Sequence, residues 1–247
     1  MMTGLTDPGR IRDGNEDCIA TRPDIGLAIL ADGMGGHLAG EVASRMAVEI
    51  VTRHFAETLN AGSWTGDDAA GAITDAIHAA NLAIYEAARA RPECAGMGST
   101  IVVALFAADR MWVGHVGDSR LYRLRAGTLT QLTQDHSVIQ ELVNRGLFTL
   151  EEARQTVAKN LVTRALGVEA GIAPDISAQT TQPGDVYLLC SDGLNEVLTD
   201  AEIAAALAQP ATELTVTAQR LVDLANERGG PDNISVILAQ AGAAATS

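Results

Sequence analysis

The chain has little of what several common protein classes require. It carries three cysteines in 247 residues, Cys18, Cys94 and Cys190, far apart and with no CxxC pair. An odd, scattered set excludes a disulfide framework and a zinc knuckle, and suits a reducing compartment. Positive charge is scarce, with 17 Lys and Arg against 31 Asp and Glu, a formal net charge of −14. Sustained nucleic-acid binding needs a basic face to neutralise phosphates, so DNA and RNA are not expected partners. No apolar run approaches the ~20 residues of a membrane span. The opening segment MMTGLTDPGRIRDGNED has no apolar stretch of the kind a secretion signal needs. A cytoplasmic protein with no membrane partner is expected.

What is present is enough apolar material for a core, 47 % of residues against 19 % charged. Four apolar runs have strand character, and each has an aspartate and a glycine at one end. Gly26–Ala31 leads into Asp32-Gly33, Met111–Val116 into Gly117-Asp118, and Asp185–Cys190 into Ser191-Asp192-Gly193. Ile234–Ala239 is preceded by Gly229-Gly230-Pro231-Asp232-Asn233. Apolar residues at helical spacing predict helices over Glu41–Leu59 and over Asp67–Ala90, the latter capped by Asp67 or Asp68. Thr199 and Glu202 form a capping box before Ile203–Ala208, and a last helix over Glu213–Glu227 stops at Gly229-Gly230-Pro231. Ser99–Leu132 reads as a strand meander. Ser137–Gly171, with a second capping box at Thr149 and Glu152, reads as an excursion from the core rather than a second domain. Residues 241–247 read as a frayed tail. The expected class is α+β, one domain over 1–247 with an antiparallel sheet core.

A strand that ends in Asp-Gly sets a carboxylate at the rim of a sheet, where glycine allows a sharp turn. One such pair is an ordinary turn. Four of them predict converging carboxylates, which repel unless cations neutralise them. The donors are all oxygen, so Mg²⁺ or Mn²⁺ is favoured over zinc. Paired divalent ions suit displacement at phosphorus. Arg12, four residues before Glu16, has the chemistry to clamp a phosphate bidentately. A cysteine-nucleophile phosphatase is excluded, because the positions six residues after Cys18, Cys94 and Cys190 are Asp24, Thr100 and Glu196, not arginine. A phosphate loop ending in GK[ST] and a GxSxG elbow are also missing.

In chain order, the segments resemble the metal-dependent PP2C-type (PPM) serine/threonine protein phosphatases in their compact bacterial form. The resemblance rests on Arg12-x-x-Asn15-Glu16-Asp17, Asp32-Gly33-Met34-Gly35-Gly36-His37 with Ala39-Gly40-Glu41, and Gly98-Ser99-Thr100. It continues through Gly117-Asp118-Ser119-Arg120, Asp135-His136-Ser137, Thr163-Arg164-Ala165-Leu166-Gly167, Ser191-Asp192-Gly193-Leu194 and Asp232-Asn233. It implies a four-layer αββα sandwich: a central antiparallel β-sandwich flanked by helix pairs, with residues 137–171 as a flap beside the cleft. It further implies that Asp32 bridges two Mn²⁺ or Mg²⁺ ions and that Gly33 lends its carbonyl to one of them. Asp192 and Asp232 would complete the other site, with Glu16 acting directly or through water. Asp118 would hold a third ion, Arg12 the phosphate, and Asp17 and Asn233 would orient ligands and waters. The implied reaction is direct hydrolysis of phosphoserine and phosphothreonine on proteins by a metal-bridging water. The implied setting is a monomer opposing a bacterial serine/threonine kinase. A second reading is a non-catalytic module of the same fold that binds phosphoproteins.

Eukaryotic members often have histidine where this chain has Met34, and methionine cannot donate a proton. His37, three residues on, is the candidate general acid for the leaving group. His37→Ala is expected to slow turnover of alkyl phosphate monoesters more than that of aryl esters with good leaving groups. Equal losses on both would exclude proton donation by His37.

Overall fold

The structure is a computed structural model that describes all residues except 36–38, 61–67, 108, 158–160, 210–212 and 242–247. His37 and all of the expected tail beyond Ala241 therefore lie outside the described residues. The chain runs through β1 (Met2–Asp7), β2 (Asp17–Arg22), β3 (Leu27–Met34), α1 (Ala39–Asn60) and α2 (Ala69–Ala90). It continues with β4 (Gly98–Ser99), β5 (Ile101–Ala107), β6 (Arg110–Val116), β7 (Arg120–Arg125) and β8 (Thr128–Gln131). Then come α3 (Val138–Asn144), α4 (Leu150–Thr156), β9 (Asp175–Thr180) and β10 (Val186–Cys190). The last elements are α5 (Asp192–Asn195), α6 (Asp200–Ala208), α7 (Leu214–Glu227) and β11 (Ile234–Gln240).

Two antiparallel sheets result. One has the order β1-β11-β10-β7-β8; the other has β2-β3-β5-β6-β9, with β4 added on β3. Strand alternation explains why the central strands read as unbroken apolar runs. In β3, Leu27, Ile29 and Ala31 join the core beneath α1 and α2, while Ala28 and Leu30 point into the layer between the sheets. In β10, Leu188 and Cys190 pack toward α6 and α7, while Tyr187 and Leu189 enter the layer between the sheets. A strand covered on both faces has no polar side to alternate with. The architecture is thus the expected four-layer αββα sandwich.

Three edge or near-edge strands, β1, β2 and β9, were not anticipated. Their sequences, MTGLTD, DCIATR and DISAQT, are half polar and only partly buried, so periodicity gave no signal. The predicted meander is real but divides: β5 pairs with β6 in one sheet and β7 with β8 in the other. The crossover falls on Gly117-Asp118-Ser119. Both capping boxes form, at Thr149 with Glu152 and at Thr199 with Glu202. Of the two candidate caps for α2, Asp67 lies outside the described residues, and Asp68 is in helical conformation and makes no side-chain cap. Among the described residues no helix is long and apolar enough to cross a membrane.

The excursion carries α3 and α4 and closes on itself where Ser137 bridges to Val162. Its return is held by Asn81 of α2, which is almost fully buried. The Asn81 amide donates to Glu169 O at 3.0 Å and Ala170 O at 3.2 Å, and its oxygen accepts from Gly167 N at 2.9 Å. Asn81→Ala would leave buried backbone groups unpaired, and a loss of about 2–3 kcal/mol is expected in urea unfolding. Leu82→Ala, on the neighbouring exposed position, should stay within about 0.5 kcal/mol. A loss below about 1 kcal/mol for Asn81→Ala would show that it does not anchor the excursion.

Candidate metal centre

The aspartates that end the apolar runs meet at one edge of the sandwich. Asp32 is in β3, Asp118 in the crossover, Asp192 opens α5 just after β10, and Asp232 stands two residues before β11. With Arg12, Glu16, Gly33 and Asn233 they line one cleft of about 200 Å³. Asp17 lies opposite Asp32 in the β2–β3 register and is buried at 8 % exposure, outside the cleft lining. Met34 also lines the cleft.

Each side chain is placed by bonds between distant segments. Asn233 gathers the loop before β2: its oxygen accepts from Glu16 N at 2.8 Å, and its amide donates to Pro8 O at 3.0 Å and Gly14 O at 2.8 Å. Close approach of α1 depends on two glycines. A Cβ on Gly33 would lie 2.1 Å from Gly40 O, and one on Gly40 would lie 2.8 Å from the Glu16 carboxyl carbon. Ser44 of α1 adds a hydrogen bond to Glu16 O at 2.5 Å. Thr100 brackets Asp32, accepting from its N–H at 3.0 Å through Oγ1 and donating its own N–H to Asp32 O at 2.8 Å. The same Thr100 hydroxyl lies 2.7 Å from that of Ser119, next to Asp118. Ser191 Oγ donates to Asp17 Oδ2 at 2.8 Å and accepts from Ser235 N at 2.9 Å.

The electrostatics are those of acids that lack sufficient counter-charge. Among the described residues Glu16, Asp32, Asp118, Asp192 and Asp232 line the cleft, against the single guanidinium of Arg12. Burial, then Asp17 and Asp192, pushes Asp32 well above the usual carboxylate range. Burial, then Asp118 and Glu196, does the same to Asp192. Asp118 is pushed up to about 6 by burial and Asp135, and Asp17 to about 6 chiefly by burial. Glu16 is raised by burial against the pull of Arg12. Arg12 itself leans on Asp232, Nη2 to Oδ2 at 2.6 Å. Asp17 Oδ1 is buried with no hydrogen-bond partner. An all-oxygen donor set this starved of positive charge fits hard divalent cations. Asp32, the Gly33 carbonyl, Asp192, Asp232, Glu16 and Asp118 are the groups that could hold them.

The anticipated residues, except His37, therefore fall in or directly behind one cleft. Thr100, Ser119, Ser191 and Ser44 were missed as positioning groups. The first three sit inside the recognised motifs, but spacing along the chain does not reveal that Thr100 meets Ser119 or that Ser191 meets Asp17. A larger hollow of about 450 Å³ adjoins the cleft through Asp118 and Asp192, and runs between the excursion (Ser137, Ile139, Leu150) and the start of α6.

The four-layer αββα sandwich with an acidic cleft at one edge is the class of fold that the chain shares with solved bacterial serine/threonine phosphatases. The chain belongs within it to the Protein phosphatase 2C family, which matches residues 12–226. It is 40 % identical over 235 residues to the serine/threonine protein phosphatase PstP of Mycobacterium tuberculosis, covering 95 % of this chain and 43 % of that protein. The chain thus spans less than half the length of this relative. It is 38 % identical to the serine/threonine phosphatase stp of Listeria innocua, covering 95 % of this chain and 93 % of that one. A solved structure of the PstP catalytic domain in complex with two manganese ions matches with a TM-score of 0.85 and 40 % identity, over 98 % of both chains.

Raised carboxylate pKa values carry a sign for stability. In the cation-free protein the fold holds these protons more tightly than the unfolded chain does. Their stabilisation is therefore complete below the unfolded value of 3.8 and is lost as pH rises through about 6, the folded value for Asp17 and Asp118. In thermal melts of chelator-treated protein, Mn²⁺ is expected to raise Tm more at pH 7.5 than at pH 5.5. A gain that is the same at both values would contradict the charge-starved cleft.

Proposed function

We propose that this chain is a serine/threonine protein phosphatase dependent on Mn²⁺ or Mg²⁺, a single catalytic domain that removes phosphate from phosphoserine and phosphothreonine on proteins. The observation that carries the reading is the convergence of Asp32, Asp118, Asp192 and Asp232 on one cleft that also holds Arg12. Membership of the Protein phosphatase 2C family and the similarity to a manganese-bound PstP structure support it. Asp32, the Gly33 carbonyl, Asp192, Asp232 and Glu16 would hold the principal ions, and Asp118 a further one. When bound, the ions supply Lewis-acid charge and an acidified water for attack at phosphorus.

The chain's own residues do the rest. Arg12 is half exposed and uses one amino group on Asp232, so its remaining donors can orient a phosphate. Asp17, held by Ser191, and Asn233, holding the Glu16 loop, fix the carboxylates in place. Ser191 is not a nucleophile: its hydroxyl is fully buried between Asp17 and Ser235. No phosphoenzyme is then required. The hollow adjoining the cleft would receive the polypeptide around the phosphorylated residue, with the excursion over 137–171 as its wall. A cytoplasmic monomer opposing a serine/threonine kinase is the setting that best suits this chemistry.

Hydrolysis of p-nitrophenyl phosphate and of phosphopeptides should require Mn²⁺ or Mg²⁺. Asp17→Asn and Asn233→Ala are expected to lose roughly 10–100-fold, and Asp192→Ala more than either. Arg12→Ala should lower kcat/KM by about 10–100-fold, the worth of a charge-assisted hydrogen bond. A wild-type protein that binds phosphopeptides but hydrolyses nothing with either metal would establish the binding-module reading instead. Cutting of DNA or RNA would replace the protein-phosphatase reading with a nuclease.

A further inference from the structure

His136 does not line the cleft, but its ring and backbone join three segments of the chain. It is 4 % exposed and stacks on His115 with ring centroids 4.6 Å apart. Gly117 N donates to His136 Nδ1 at 3.1 Å, and His136 N donates back to Gly117 O at 2.9 Å. His136 O accepts from Thr163 N at 2.7 Å, on the returning end of the excursion. His136 is thus bound on one side to the crossover that carries Asp118. On the other side it is bound to both ends of the excursion, since Ser137 follows it and bridges to Val162.

The trio His115, His136 and Asp175 stands close enough to suggest a cation site, but hydrogen-bond chemistry argues otherwise. A nitrogen that accepts from a backbone N–H has no proton, so in the neutral ring the proton is on Nε2. Burial and the neighbouring His115 lower His136 to about 4, so the ring is neutral at working pH. Nε2 faces Asp175 Oδ2 at 3.3 Å without a formed hydrogen bond, and a nitrogen that carries its proton has no lone pair to offer a metal. Asp175 is itself held by Arg164 Nη1 at 2.8 Å. His115 Nε2 lies 2.8 Å from Gln134 O, so that ring is tied to the segment leading into His136.

The Asp118 turn has little freedom apart from this contact. Gly117 adopts φ +104°, and a Cβ there would lie 2.6 Å from Thr100 Cγ2. Ser119 is held by Thr100 on the Asp32 side. Arg120 is held by Asp135, Nη2 to Oδ2 at 2.6 Å. We infer that His136 is a positioning residue for the divalent-cation site at Asp118, coupling the excursion to that carboxylate through its Nδ1 bond to Gly117. The inference rests on the proposed role of Asp118 as a cation ligand.

The experiment is calorimetric titration of the chelator-treated full chain with MnCl₂. It compares the wild type with Asp118→Asn, His136→Asn, His136→Gln and Asp175→Asn. Asp118→Asn should remove the weakest binding event; if it does not, the Asp118 assignment fails and the inference with it. His136→Asn keeps an oxygen where Nδ1 stood and should stay within about threefold of wild type in that event. His136→Gln cannot place an acceptor there and should weaken it about tenfold, the worth of one hydrogen bond, while the tighter events hold. Asp175→Asn, on the exposed rim, loosens the ring from outside and should weaken the event about threefold even if the His136 variants do not fold. Wild-type affinity for the weakest ion in His136→Gln, equal losses in His136→Asn and His136→Gln, or equal weakening of every event would overturn the inference. With the His136 variants unfolded, unchanged binding in Asp175→Asn would do the same.

Discussion

The repulsion among carboxylates brought to one edge of the sandwich is the constraint on which the rest of this structure depends. Asp17, Asp32, Asp118 and Asp192 all hold their protons more tightly than free acids do, because burial and proximity oppose ionisation. Such a group of acids persists only if the surrounding scaffold is stiff. The two sheets supply that stiffness, since each central strand is buried on both faces and cannot slip register without exposing a full apolar face. The acids sit at the ends of strands, so their backbone positions are fixed; the side chains of Asp32, Asp118 and Asp192 reach the cleft, while Asp17 lies behind it.

The bonds that close this edge are short-range in space and long-range in sequence. Asn233 near β11 holds the loop before β2, Thr100 beside β5 holds both Asp32 and Ser119, and Ser191 joins Asp17 to Ser235. None of these groups needs to touch substrate to matter. They hold a set of mutually repelling oxygens in fixed positions, which is what the proposed binding of cations for phosphoryl transfer to water would demand of a protein. The excursion, anchored at Asn81 and bound to the crossover through His136, forms one wall of the hollow beside this fixed edge.

Much of this was legible in the residues. The runs over 26–31, 185–190 and 234–239 are continuous because both faces are covered, and apolar continuity is visible without coordinates. The capping boxes at Thr149 and Thr199 were legible for the same local reason, being complete within four residues. The strands β1, β2 and β9 were not, because an edge strand with one wet face carries a weak pattern and takes its structure from its neighbour. The site was legible as motifs but not as a network: Asp32, Asp118, Asp192 and Asp232 stand out, whereas Thr100, Ser119 and Asn81 look like ordinary polar residues.

The amino-acid sequence by itself determined the all-oxygen donor set, the net charge of −14 and, through its ordered motifs, the family. These are properties of residue type and order, which folding does not alter. Only the tertiary structure decided that the strand meander divides between two sheets at Gly117-Asp118-Ser119. That division makes Asp118 the hinge between the sheets and sets it against Thr100 on one side and His136 on the other. The physical reason is that a hydrogen bond depends on distance in space, and residues 19 positions apart, like Gly117 and His136, show nothing of their contact until the sheets have packed.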